Sequence, residues 1–253
     1  LCPGLRVASG RATQNIPPGG NGLKQQRLTV SMSSAIQYQG RKARRAGSEQ
    51  RRQAILEAAL NIIVKDGIRA VRHRAVAREA DVPLSATTYY FKDISDLIAD
   101  TFTLFAERAL KEVIEPFKQQ AFALLSQFSR DSLADADERQ RLIDMMGKMM
   151  AAFIVDELNT RRGHLVAEQA FMQEAIMDSR LRELADLYLQ QQLESLIIAT
   201  ELFGSEHPRL DAELILMAMI SIEQRLLVHP EKIEQSFVEV RMCNLLDKLL
   251  PHG

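Results

Sequence analysis

The chain has 253 residues, 46% of them hydrophobic, a net charge of −1, no Trp and two cysteines. Cys2 and Cys243 form no CxxC pair and no Cys/His cluster, which excludes a disulfide framework and a zinc site and fits a reducing cytoplasm; no apolar run is long enough to span a bilayer. Helix formers dominate while Gly and Pro are scarce, so the expectation is an all-α protein of one or two domains.

Residues 1–47 are rich in Gly, Pro, Ser, Asn and Arg and lack periodicity, so they read as a disordered basic tail. The opening LCPGLRVASGRATQNIPPGGNG has no apolar h-region and is no signal peptide. Met32 is the first methionine, and the expectation is that translation starts there, with residues 1–31 lying upstream of it. Charge is uneven along the chain. Residues 1–40 hold four basic and no acidic side chains, 41–94 hold twelve against six, and 95–253 hold sixteen against twenty-seven. A basic front and an acidic back point to a polyanion met by the front.

Order is expected from Ser48, an N-cap candidate with Glu49 in the first turn. Ile55, Ala58, Ala59, Ile62 and Ile63 follow at helical spacing, and Gly67 is a stop. A second short helix is predicted over Arg72–Ala80, with Ala75, Val76 and Ala80 inward. Asp81 stands where a turn needs φ > 0, which Asp tolerates better than most residues. A third helix covers Leu84–Phe91. Asp93 caps a fourth, with Asp96 as a weak capping-box partner. Its apolar stripe is Leu97, Ile98, Phe102, Phe105, Ala109, Val113 and Ile114, and Pro116 is expected to kink or end it. Amphipathic stretches follow at about 137–158, 164–178, 180–203, 209–227 and 231–250, with Gly163, Gly204 and Pro230 between helices. The stretch AELILMAMISIEQRLLV, 212–228, is apolar almost all round, as a subunit interface or a central core helix would be.

Three short helices with a tight turn before the third form a helix-turn-helix unit, whose last helix lies in the major groove. Ser85, Ala86, Thr87 and Thr88 give that helix a small, hydroxylated face, and Leu84 at its start is a further candidate for DNA contact. Tyr89 and Tyr90 carry phenols that reach phosphate oxygens, and Phe91 turns to the core. Basic residues flank the unit. Arg41, Lys42, Arg44 and Arg45 precede it as an arm for an adjacent minor groove or phosphates. Arg51 and Arg52 start the first helix, and Arg72, His73 and Arg74 open the second. Cations at a helix N-terminus oppose the macrodipole, so phosphate nearby rationalises them. Lys92 lies just beyond.

Over about residues 50–98 the sequence resembles the TetR/AcrR family of bacterial transcriptional regulators. AILEAALNIIVKDG, AVAREADV, the aromatic ending YYF and KDISDLI carry the resemblance, and the spacings from Val82 to Phe91 and from Phe91 to Leu97 match without gaps. There are departures. Asp81 stands where Gly is usual, Arg72 where a capping Thr is usual, Thr87 and Thr88 where Leu-Tyr is usual, and Ile94 where Lys is common. The usual Tyr contacts a phosphate, a role left here to Tyr89 or Tyr90.

The resemblance implies residues 48–94 as a helix-turn-helix DNA-binding domain and 95–253 as a helical effector-binding and dimerisation domain. It also implies release from a double-stranded operator by a small apolar or amphipathic effector, with repression as the expected outcome. For the pocket, MMGKMMAAF supplies Met146, Met149, Met150 and Phe153, joined by Phe102, Phe105, Phe171 and Met172 as a deformable apolar lining. Ordinary core filling is the other reading of the same residues. Glu168 or Gln169 is a candidate polar anchor. His164 and Glu168 at i,i+4 lack a third ligand, so no metal or cofactor is expected. A homodimer is expected through the last two long helices, by Leu216, Met219, Ile220, Phe237, Arg241 and Leu245. That pairing would set the recognition helices one DNA turn, about 34–36 Å, apart. The rival readings are an all-helical enzyme and a non-specific architectural DNA binder. No HExxH, Gly-rich phosphate loop or GxSxG motif supports the first, and the acidic helical body argues against the second.

Overall fold

The computed structural model describes Tyr38 and residues 46–250. Arg41, Lys42, Arg44, Arg45 and Met32 lie outside the described residues. Among the described residues there are ten α-helices and no strand.

Helix α1 (Ala46–Asp66) buries Ile55, Leu56, Ala59 and Ile63 along one face. It starts two residues before Ser48, whose hydroxyl instead meets the Tyr90 hydroxyl at 2.8 Å. Gly67, at φ 83°, ends the helix, and its N–H donates to the Ile63 carbonyl. A 3-10 turn (Ile68–Ala70) leads to α2 (His73–Glu79) and α3 (Leu84–Tyr90). Helix α4 (Ile94–Ala109) is capped by Asp93, whose carboxylate accepts from Ser95 N–H at 3.0 Å.

Pro116 does not end this helix. The chain passes through a π-helical turn (Leu110–Ile114) into α5 (Glu115–Leu125). A proline ring collides with the carbonyl four residues back, here Glu112, which sits inside the widened turn; the widening accommodates the ring and the rod continues. After a 3-10 turn (Ser132–Ala134) come α6 (Ala136–Thr160), α7 (Arg162–Ala175), α8 (Ser179–Leu202), α9 (Pro208–Val228) and α10 (Gln235–Leu249). Asp135 and Asp178 cap α6 and α8 by accepting from N–H groups in their first turns. Gly163 lies within the first turn of α7 rather than between helices, 3.2 Å by a virtual Cβ from Val64 of α1.

Helices α6 and α10 pack along each other, and Leu142, Ile143, Ile154, Val238, Met242 and Leu246 are buried in their core. The approach is closest at Gly147, where a Cβ would collide with Cys243 Sγ. Helices α8 and α9 lie alongside, and α7 packs on both α1 and α8. Helix α4 packs against α1, α7 and α8. At that junction Phe102 stacks on Phe171 with ring centroids 4.6 Å apart, and Phe105 and Tyr188 close the cluster.

Candidate nucleic-acid interface and ligand cavity

The turn between α2 and α3 is built by backbone hydrogen bonds. Val82 N–H donates to the Ala77 carbonyl at 3.0 Å and Asp81 N–H to the Arg78 carbonyl at 3.3 Å. That pair is a Schellman closure, which requires a left-handed residue between; Asp81 takes it at φ 50°. The α2 and α3 cores are small: Val76, Ala77, Thr87, Tyr90 and Phe91 are buried. Thr87 donates its hydroxyl to the Leu84 carbonyl at 2.8 Å, so this hydroxyl is used inside the fold.

Arg51 on α1, Arg72 and Arg74 at the start of α2, Leu84, Ser85, Thr88 and Tyr89 on α3, and Lys92 are exposed. His73 and Ala86 are half-buried. Tyr89 is 53% exposed and meets the Tyr90 ring edge-on. Tyr90 is a correction to the expected DNA face. It is buried and its hydroxyl is engaged with Ser48, because the i,i+3 face that holds Thr87 and Tyr90 is the one turned to α1. Arg52 is likewise internal. Its guanidinium meets Asp100 of α4 at 2.6 Å, with side-chain exposures of 5% and 0%, and lies 4.4 Å from the Tyr38 ring centroid.

Further along the same rod lies a partly open cavity. The end of the π-helical turn and α5 form one wall with Val113, Ile114, Phe117 and Phe122; α6 adds Met146, Met150 and Phe153; α9 adds Leu216, Met219 and Ile220. Polar groups converge at depth: Glu157 (α6), His164 and Glu168 (α7), Tyr188 and Gln192 (α8) and Glu223 (α9). Burial raises the Glu168 carboxyl above the usual range, with the Tyr188 hydroxyl donating to it in partial opposition. Burial, reinforced by Glu168 and Glu157, pushes Glu223 well up. Tyr188 is pushed well up by burial and by the Glu168 charge. His164 Nδ1 lies 3.3 Å from Glu157 Oε2 without hydrogen-bond alignment, and its ring stacks on Phe105 at 4.7 Å.

Among the described residues no group of His, Cys, Asp or Glu is arranged to hold a metal ion, and no helix is long and apolar enough to cross a membrane. No family model and no curated protein matches the chain. Solved structures do. A transcriptional regulator from Streptomyces coelicolor A3(2) is 21% identical and aligns with TM-score 0.58, over 78% of this chain and 98% of its own. A TetR-family regulator from Mesorhizobium loti MAFF303099 is 15% identical with TM-score 0.58, over 83% and 98%. The multidrug binding protein EbrR, complexed with ethidium, is 22% identical with TM-score 0.53, over 79% and 99%. The chain has the fold of the TetR-family regulators.

Within the TetR fold, the expected pocket residues separate into groups. Met146, Met150, Phe153 and Glu168 line the cavity. Phe102, Phe105 and Phe171 do not; they are fully buried in the aromatic cluster behind it, as core filling. Met149 and Met172 are half-buried and outside the lining, and the Gln169 amide oxygen accepts from Gln224. Leu216, Met219 and Ile220, expected at an interface, line the cavity and share one helical face with Glu223. Phe237 and Leu245 are half-buried, and Arg241 is exposed with its guanidinium 3.3 Å over the Phe237 ring. Sequence reasoning missed Glu157, Tyr188, Gln192 and Glu223. Glu223 had a signal, an acid in phase with the apolar positions of a nearly all-apolar helix.

Proposed function

We propose that the protein is a TetR-family transcriptional regulator, a homodimer that binds an operator in double-stranded DNA and is released by a small apolar or amphipathic effector. One observation carries this reading. A single helical rod runs from Asp93, at the edge of the helix-turn-helix unit, to Phe122 in the cavity wall. A ligand that moves Val113, Ile114 or Phe117 bears directly on the helix that follows the recognition helix α3 in the chain and packs on α1. A second tie runs alongside, since Arg180 in the first turn of α8 reaches Asp96 at 2.9 Å and Ser95 Oγ at 2.5 Å. The effector shifts the protein only by its differential affinity for the two states.

On this reading Arg51, Arg72, Arg74, Ser85, Thr88, Tyr89 and Lys92 form the DNA face, with Leu84 and Ala86 against base edges. Arg41, Arg44 and Arg45 extend it along the backbone or into a minor groove. The dimer forms through the outer face of α9, where Leu210, Leu214, Met217 and Val228 are exposed in one helical stripe, together with Val240 of α10. Such a regulator acts in the cytoplasm and represses in the effector-free state.

The test is fluorescence anisotropy with duplexes tiled across DNA upstream of the gene, against random duplexes, at several salt concentrations. The expected result is salt-sensitive, site-selective binding, with a preference of about a thousandfold or more for one site. Equal affinity for every duplex would refute a specific regulator.

A further inference from the structure

We infer that the cavity is built for an apolar organic cation. This rests on reading the cavity as the effector site and names the chemistry of what fills it.

Three carboxylates reach into an otherwise apolar space: Glu157, Glu168 and Glu223, from three different helices. Their partners are unequal. Glu157, 1% exposed, is answered from outside by Arg161 at 2.5 Å, which also holds Asp156 at 2.7 Å. Glu168, 8% exposed, has the His164 ring nearby and receives the Tyr188 hydroxyl, with no Lys or Arg partner among the described residues. Glu223 has neither a hydrogen-bond nor an ion-pair partner among the described residues, and the charged groups acting on it are the other two carboxylates. Lys118, the lysine of the lining, has its ammonium at 3.3 Å from Glu115. Glu168 and Glu223 are therefore buried carboxyl groups that no Lys or Arg among the described residues pairs with.

The unpaired atoms around the acids point the same way. His164 Nε2 is buried without a hydrogen bond, and its Nδ1 lies 3.3 Å from Glu157 without hydrogen-bond alignment. Such groups are costly in a closed core and are usually satisfied there. Here they line the cavity. A neutral apolar occupant would strip water from Glu168 and Glu223 and offer nothing in return. An anion would add a like charge beside them. A cation offsets both carboxylates, and the rings of Phe117, Phe122, Phe153 and Tyr188 present further faces attractive to it.

The experiment uses the full chain and three probes of related shape: tetraphenylphosphonium (cation), tetraphenylborate (anion) and triphenylphosphine oxide (neutral). Binding is read by titration calorimetry. Tetraphenylphosphonium is expected to bind more tightly than either other probe by about tenfold or more. Glu223→Gln and Glu168→Gln keep the side-chain shape and remove the charge. Each is expected to weaken the cation by about tenfold while leaving the neutral probe within about twofold. If the neutral probe binds as tightly as the cation, and the glutamine variants do not discriminate between them, the inference is overturned and the effector-cavity reading stands. If none of the three binds, the cavity reading falls and takes the inference with it.

Discussion

The contact between Arg52 and Asp100 joins α1 of the helix-turn-helix unit to α4, the rod that reaches the cavity. Its two side chains are 5% and 0% exposed and meet at 2.6 Å. At an effective dielectric constant of about 20, two unit charges at this separation attract by roughly 6 kcal/mol. Burial of each ion costs several kcal/mol, so the pair as a whole is close to neutral against a well-packed apolar pair. Removing one partner is a different matter. Asp100→Ala strands a guanidinium between the Tyr38 and Phe91 rings, where it is already 4.4 and 5.7 Å from their centroids and has Glu49 as its other anion, at 3.4 Å. The expected cost is about 3–5 kcal/mol, a large share of the roughly 5–15 kcal/mol that holds a domain together. Arg52→Met should cost a similar amount. The double variant Arg52→Met/Asp100→Leu should recover most of the loss. Urea unfolding followed by circular dichroism reads all four proteins at equal concentration. If Asp100→Ala costs under about 1 kcal/mol, or the double variant is as unstable as the sum of the singles, the pair is not the buried, mutually dependent ion pair described here.

Tyr89→Ala should weaken operator binding about equally across related sequences, by roughly 1 kcal/mol, as loss of a phosphate contact does. Tyr90→Phe should leave DNA affinity unchanged and lower stability by about 0.5–1.5 kcal/mol through the lost contact with Ser48; anisotropy and urea unfolding separate the two. Gly147→Ala should destabilise by about 1–3 kcal/mol, because its Cβ meets Cys243 Sγ and lies 3.2 Å from that residue's backbone nitrogen, forcing α6 and α10 apart. Glu223→Gln should be more stable than the parent at pH 7. The folded protein holds the Glu223 proton to a higher pH than the unfolded chain does, so the parent loses stability as pH rises from the ordinary carboxylate range through the folded value. The advantage of the variant should vanish below about pH 4 in thermal melts, and an advantage that grows on acidification would refute this sign. Asp81→Gly should be neutral or stabilising by up to about 1 kcal/mol, and Asp81→Val destabilising by about 1–2 kcal/mol, since φ 50° suits Gly and opposes a β-branched residue.

By itself, the sequence determined the local elements. Period-3.6 stripes, Asp93 as a cap, Gly67 as a stop and Asp81 as a left-handed turn residue act over a few neighbouring residues, so they can be read without knowing what packs where. The helix-turn-helix unit is of this kind, being short and made of contiguous helices. The outcome at Pro116 was not legible, because a proline ring can end a helix or be absorbed by a widened turn, and the surrounding packing chooses between them. Nor was the orientation of Tyr89 and Tyr90 legible: adjacent residues on a short helix point about 100° apart, and only the position of Ser48 on α1 shows which is inward. The cavity depended most on tertiary structure. Met146, Glu168, Tyr188 and Glu223 come from four helices far apart in sequence, and a buried carboxylate is recognisable as unanswered only when every neighbouring cation has been seen to pair elsewhere. Leu216, Met219 and Ile220 sat on an apolar helix that fits an interface or a core equally well in sequence. Which of its faces met the cavity and which met solvent was decided by the rotation of α9 against α8 and α7, a long-range packing choice that local periodicity does not encode.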